Sequence, residues 1–309
     1  MIQKQETNKH SAKFAFFYVL SLVTLIFTSL STGMVIFQII NKYIPDPIGR
    51  FGESFSSDLL RFAIAALIVA VPIFFLTNRQ IYKNLFKGIL AKDSSVRKSL
   101  TYLILLVSSF IVMGWFIALI NNYLGGELTI KFILKAIASV GISAIAFTFY
   151  LYDIRRDKVI GQKDNVIRMY FYGSLVIIIA VFVSALLIVE SPKEARDRKL
   201  DNTTLEDFNI ISDGLSDYYS KNQKLPITLE ELKSEVLFVT EENLRDSDTN
   251  EAYEYNVIAD KKYQLCAVFK TSNIDSQDVS KEFYRETWSH KIGKQCIDKN
   301  IEQKEYNID

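Results

Sequence analysis

Cysteine and histidine each occur only twice in the 309 residues, and proline five times. Two histidines, His10 and His290, stand at opposite ends of the chain, too far apart in sequence to belong to one recognisable zinc motif. A Ser-His-Asp or Cys-His arrangement in the tail would have to use His290, and nothing around it resembles a nucleophile motif. There is no Walker loop, no dinucleotide fingerprint and no zinc pattern. The net charge of +1 gives no basic excess for nucleic acid. These absences point away from an enzyme and leave no organic cofactor to expect. Only Pro72 falls within an apolar run, whereas transporters built on paired broken helices need several such interruptions.

What the chain has instead is five long apolar runs, over residues 14–40, 59–77, 99–120, 129–152 and 168–189. Each is long enough to cross a hydrocarbon core of about 30 Å as a helix. The first exceeds a signal-peptide core of about 7–15 residues and lacks a small-residue cleavage site, so it reads as an uncleaved anchor. From Ser191 onward no apolar run of membrane length occurs, and Asp, Glu, Lys, Asn and Ser dominate. The expected organisation is therefore a membrane all-α domain of five helices over 1–190 and a separate domain over 191–309, with the break at Glu190-Ser191-Pro192.

The loops alternate in charge. Lys4, Lys9 and Lys13 precede the first run; Arg79, Lys83, Lys87, Lys92, Arg97 and Lys98 separate the second and third; Arg155, Arg156, Lys158, Lys163 and Arg168 separate the fourth and fifth. The other loops carry little beyond Lys42, Arg50 and Lys131. Basic loops stay in the cytoplasm, which predicts a cytoplasmic N-terminus and an extracytoplasmic tail in a cell membrane. Both cysteines, Cys266 and Cys296, fall in that tail. An even count in an oxidising compartment predicts a disulfide, with two unpaired buried thiols as the alternative.

Ionisable residues within spans mark transport routes by default. Arg61 lies three residues after Asp58, so the two can pair on one helical face. Lys131 and Lys135 sit one turn apart near the end of the fourth run, where long side chains can snorkel to headgroups. No Asp or Glu occupies the middle of a run, so these four charges are expected to be structural or interfacial. Over Arg79–Lys92, Ile81, Leu85 and Ile89 repeat with basic residues alongside, with Tyr82, Phe86 and Leu90 adjoining. That segment is either an amphipathic helix on the inner leaflet or a cytoplasmic extension of the second helix.

Five stretches, Phe17–Asp46, Leu60–Phe75, Arg97–Leu103, Gly125–Thr129 and Tyr150–Arg156, together resemble the uncharacterised prokaryotic membrane family known as domain of unknown function 5671. The resemblance covers about residues 12–156. It implies a four-helix membrane unit and a prokaryotic host, and brings no activity with it.

The tail changes pattern after Pro192. Leu205, Phe208, Ile211, Leu215 and Tyr218 make one apolar stripe at helical spacing, which predicts a helix over about 202–221. Thr228 is placed as the N-cap of a short second helix, with Glu231 at the capping-box position. Tyr253, Tyr255 and Val257 alternate, as do Tyr263, Leu265, Ala267 and Phe269, with Ala259-Asp260-Lys261 turning between them. Trp288, His290, Gly293 and Cys296 are read as a terminal strand or turn. The class is α+β, a long helix packed on a small antiparallel sheet.

The Tyr218–Pro226 segment and the Asp246–Tyr255 stretch resemble the globular domains of type IV pilins and type II secretion pseudopilins. Ser247 and Asn250 stand where that family often has Pro and Gly. Four membrane helices precede the one leading into the tail, and Gly161–Arg168 is not a prepilin leader, so the resemblance implies a pilin-like domain that is not a processed, polymerising pilin. Asp246, Asp248 and Asn250 have the one-three-five spacing of a calcium loop without its Gly or its final Glu; they are a candidate calcium site or an ordinary acidic turn. The functional expectation is a lipid-embedded protein presenting its tail to another envelope or membrane protein. The alternative is a small transporter or channel component with an accessory tail.

Overall fold

The structure is a computed structural model that describes residues 2–44, 54–89, 94–156, 160–161, 163–274 and 287–301, with side chains described from residue 14 onward. Arg50, Leu90, Lys92 and Lys158, which carry part of the loop and amphipathic patterns, lie outside the described residues, as do the side chains of Lys4, Lys9 and Lys13. The chain divides into two compact units, Met1–Val189 and Glu190–Asp309.

In the first unit, α1 (Ile2–Tyr43), α2 (Ser57–Phe86), α3 (Ser95–Leu124), α4 (Ile130–Arg155) and α5 (Asn165–Leu186) form a bundle. All five are long and apolar enough to cross a membrane. α2 buries an apolar face that includes Leu60, Ile64 and Leu67, but in α1 and α3 burial is inverted relative to a water-soluble bundle. The buried face of α1 is made largely of Ser21, Thr24, Thr28, Ser31, Thr32 and Gln38, whereas Val19, Val23, Ile26, Phe27 and Leu30 face outward. In α3, Thr101 and Ser108 lie inside while Leu103, Leu106, Phe110 and Phe116 lie outside. Lipid solvates apolar side chains as well as a core does, so membrane helices associate through small and hydroxyl-bearing residues that allow close approach.

The helix boundaries are set by local chemistry. Ser56 caps α2 by accepting the Leu59 N–H, Thr129 caps α4 through the Phe132 N–H at 3.2 Å, and Asp164 caps α5 through the Val166 and Ile167 N–H groups at 2.8 and 3.3 Å. α2 passes through Pro72 and extends to Phe86, so Arg79–Phe86 is a continuation of the second helix rather than a separate amphipathic helix. Ile81 and Leu85 are buried there, with Phe14, Phe17 and Tyr18 of α1 packed against them, and Gly88 at φ 70° follows the helix end. Gln38, near the other end of α1, accepts the Ser56 N–H at 2.8 Å, while the Asn41 amide donates to the Ser54 carbonyl at 3.0 Å. These two polar residues tie the end of α1 to the start of α2.

The second unit opens with α6 (Pro192–Asn222), followed by α7 (Leu229–Glu235), a 3-10 turn (Glu242–Leu244) and the strands β1 (Glu254–Ala259), β2 (Lys262–Phe269) and β3 (Gly293–Asn300). α6 begins ten residues before the expected start at 202. Ser191 accepts the Glu194 N–H, and Pro192 occupies the first turn, where its missing donor is harmless. The strands form one antiparallel sheet in the order β1-β2-β3, with Tyr255 opposite Leu265 and Cys266 opposite both Glu254 and Cys296.

The stripe of α6 packs on the inward face of that sheet. Leu205, Phe208, Ile211, Leu215 and Tyr218 share one core with Tyr253, Tyr263, Leu265, Ala267, Phe269 and Trp288. Val257 departs from the expected inward alternation and is exposed, beside the irregularity in the β1–β2 pairing between Val257 and Ala259. Buried tyrosines keep their hydroxyls satisfied at the core edge. Tyr253 donates to Asp207, Tyr255 to the Pro226 carbonyl, Tyr263 to Ser212 and Tyr218 to Glu231. Trp288 and His290 precede β3 as irregular chain. Trp288 donates to Asn209 at 2.6 Å, and the His290 ring stacks on Phe269 with centroids 3.8 Å apart.

Candidate functional site

One end of the membrane unit holds a buried ionic cluster that the charge pattern concealed. Arg97, in the first turn of α3, donates to the Asp153 carboxylate at 2.6 Å and to the Asp153 carbonyl at 3.0 Å. Arg156, just past α4, donates to the other Asp153 oxygen at 2.7 Å and reaches Asp164 at 3.5 Å. The side chains of Arg97, Asp153 and Arg156 are all at least nine-tenths buried. Tyr152 donates to Asp164 at 3.0 Å. Asp164 titrates below the usual carboxylate range: burial acts against this, but the helix N–H groups, Tyr152 and Arg156 outweigh it.

In the sequence these arginines read as ordinary basic loop residues, and Asp153 lies at the end of an apolar run. Two arginines against two aspartates leave the four-residue group formally neutral, and the network ties α3, α4 and the start of α5 together. The only advance signal was an acidic residue three positions before an arginine, which is common on exposed helices.

Beside this cluster lie two cavities. The smaller, about 30 Å³, is lined by Tyr18, Ser21, Asn78, Tyr82, Arg97, Tyr150 and Asp153 among others. The larger, about 130 Å³, lies between α1, α2, α4 and α5, and shares Asn78, Tyr82 and Tyr150 with its neighbour. Its walls are mostly aromatic and aliphatic. Ser21 donates to the Asn78 amide oxygen at 3.1 Å, and Asn78 in turn donates to the Phe74 carbonyl at 3.0 Å.

The charges singled out from the sequence sit elsewhere. Asp58 and Arg61 do pair within the first turn of α2. Lys131 and Lys135 are buried in the bundle rather than extended along its surface, and the Lys135 ammonium lies 5.8 Å from the Phe37 ring centre. A cation over an aromatic face in a shielded site gains an attraction that the snorkelling argument leaves out.

In the tail, the Cys266 and Cys296 sulfurs stand at disulfide distance, 2.10 Å, across directly opposed positions of β2 and β3. Glu254 is close to both sulfurs, but a bonded sulfur pair offers no thiolate to a metal, and Lys294 occupies the Glu254 carboxylate at 2.5 Å. The Asp246 carboxylate accepts the N–H groups of Asp248 and Thr249 at 2.9 and 2.8 Å, closing its own turn. Asp248 pairs with Lys270, which lowers its pKa, and Asn250 adopts a left-handed φ of 59°. The three residues predicted as a calcium set thus share one loop, with both carboxylates engaged by the chain's own donors.

No curated protein and no solved structure matches the chain. Residues 15–151 match a family described as a domain of unknown function (DUF5671), a span that includes Arg97 and the cavity-lining parts of α1, α2 and α4 and stops two residues before Asp153.

Proposed function

We propose that this membrane protein presents its C-terminal domain, pilin-like in build, on the extracytoplasmic side of a prokaryotic cell membrane, where it docks another envelope or membrane protein. The observation that carries this reading is the self-contained tail. Its helix and sheet close one core without help, while Ile227, Leu237 and Phe238, at the two ends of α7, remain 83%, 99% and 53% exposed. Large apolar side chains this open at loop tips are suited to a protein partner. The reading involves no catalytic step and no nucleic acid. A calcium ion at Asp246 and Asp248 would have to displace Lys270 and two backbone donors.

The test has two arms. On intact cells an impermeant thiol reagent should label Asn222→Cys and spare Ser11→Cys, in a Cys266→Ser/Cys296→Ser background; the reverse pattern refutes the orientation. Deleting residues 195–309 should then abolish the cellular phenotype, and Leu237→Asp with Phe238→Asp should reproduce that loss in a folded, inserted protein.

A second reading, a small transporter or channel component, is favoured by the buried hydroxyl stripe of α1, from Ser21 to Thr32, leading on to Gln38. Under it, the deletion would spare function and Asp153→Asn would remove it.

A further inference from the structure

A pocket of about 430 Å³ lies in the tail, beside the first two turns of α6. Small-molecule sites run from about 300 to 1,000 Å³. Its walls carry charges of both signs: Lys193, Arg198 and Lys270 stand with Glu190, Glu194 and Asp197. Arg198 is buried and pairs with Glu190, while Lys270 pairs with Asp248. Among the described residues, the side chains of Lys193, Glu194 and Asp197 enter no ion pair or hydrogen bond. Lys193 and Glu194 are exposed and Asp197 is half-buried, so an incoming molecule can reach all three. The facing wall is held in place. Asp201 of α6, 3% exposed, accepts the Lys270 and Thr271 N–H groups at 2.8 and 2.6 Å, which clamps the segment after β2 to the helix.

Chain connection brings this pocket to headgroup depth. No charged residue occurs between Arg168 and Glu190, so the apolar run of the fifth span ends where the pocket begins. Glu190 lies four residues beyond Leu186, the end of α5, a reach of at most about 14 Å. The interfacial layer on each side of a bilayer's hydrocarbon core is itself about 5–7 Å thick. This placement holds whichever way the tail faces, so it stands apart from the orientation and the docking role proposed above.

We infer that this pocket holds the headgroup of a phosphatidylethanolamine-type lipid, with its phosphate on Lys193 and Lys270 and its ammonium on Glu194 and Asp197. Charge selects a zwitterion. A headgroup that is only anionic would gain from the lysines but be opposed by the carboxylates a few ångströms away. The kind of ammonium is selected too. A primary ammonium donates three hydrogen bonds, which suits carboxylates. Choline has no N–H to donate and is recognised by aromatic cages, and no Phe, Tyr or Trp lines this pocket. Ile292, 68% exposed, also lines it and offers an apolar contact to the glycerol and first chain carbons. That contact favours a lipid over the same headgroup free in solution.

The test uses the full chain in detergent, with bound lipid counted by native mass spectrometry. The probes are dioleoyl-phosphatidylethanolamine, its phosphatidylcholine and phosphatidylglycerol counterparts, and soluble glycerophosphoethanolamine. The wild type should bind the ethanolamine lipid at least about fivefold more tightly than the other two lipids and about tenfold more tightly than the soluble headgroup. Glu194→Gln with Asp197→Asn should weaken the ethanolamine lipid by about fivefold to tenfold and leave phosphatidylglycerol no weaker. Lys193→Gln, at an exposed position, should weaken both, and it decides the matter if the double variant fails to fold. Equal affinity for the three lipids overturns the proposal, as does an ethanolamine-lipid affinity unchanged in the folded variants. Glycerophosphoethanolamine binding as tightly as the lipid would overturn the lipid as its source.

Discussion

Phe208 lies fully buried on α6 with three rings against it: Tyr253 at 5.3 Å, Phe269 at 6.3 Å and Trp288 at 5.3 Å between centroids. Truncating a phenylalanine so placed costs about 3–5 kcal/mol, a large share of a small domain's stability. Phe208→Ala should therefore unfold or strongly destabilise the tail in chemical denaturation, while the exposed Lys221→Ala should change the midpoint little. Asp207, one residue earlier, makes a pH-dependent contribution. Burial raises its carboxyl above the ordinary value, although Asn243 and Tyr253 donate to it. A raised acid binds more protons folded than unfolded, so its ionisation costs stability as pH rises through that window and protonation restores it. The surface carboxylates Glu231, Glu241, Asp248 and Asp298 are lowered by their donors and lysine or arginine partners, so their contribution is present above the unfolded value and lost on acidification. Asp207 partly offsets that acid loss. Asp207→Asn should make the fall of the tail's melting temperature between about pH 5 and pH 3 steeper; a shallower fall would contradict the sign.

At the scale of elements, α3, α4 and α5 are joined where Arg97 and Arg156 converge on Asp153. Removing one partner from a buried ion pair costs about 3–5 kcal/mol because the remaining charges are left uncompensated. Asp153→Asn should lower the thermal midpoint of the full chain in detergent markedly, whereas Arg61→Gln, at a pair whose Asp58 is 75% exposed, should shift it within about 0.5 kcal/mol. An Asp153→Asn protein as stable as wild type would show that the cluster is not a structural joint. In the tail, β2 and β3 are stitched at Cys266 and Cys296, which are 30 residues apart. A cross-link over a loop of that length contributes about 3–4 kcal/mol in the chain-entropy model. Cys266→Ser should lower the tail's melting temperature, and the reduced wild type should melt at the same point as the variant. Free alkylation of both thiols in the unreduced protein would remove the bond from consideration.

Over the whole molecule, length and periodicity made the two-unit division legible, because crossing a bilayer demands runs that no soluble tail needs. The same holds for the amphipathic stripe of α6 and the β1–β2 hairpin, where period alone separates helix from strand. What period could not show was which face of a membrane helix turns inward. Ser and Thr can satisfy their hydroxyls within the helix and so are tolerated by lipid; the inward set of Ser21, Thr24, Thr28 and Thr32 emerges only once α1 has neighbours. Helix ends followed a similar division. Thr228 was readable as a cap with Glu231 as its capping-box partner, but nothing in the spacing showed that Glu231 also accepts the Ile227 N–H and gives its other oxygen to Tyr218. Asp153, Arg97 and Arg156 are the sharpest case. Their separation of 56 residues between Arg97 and Asp153 carries no local signal, and only folding turns loop charges into a buried cluster. Sequence by itself determined where the membrane segments lie and which residues the tail must bury, because hydrophobic length and period are local properties of the chain. Tertiary structure alone decided which polar groups meet, because that depends on helix packing rather than on spacing.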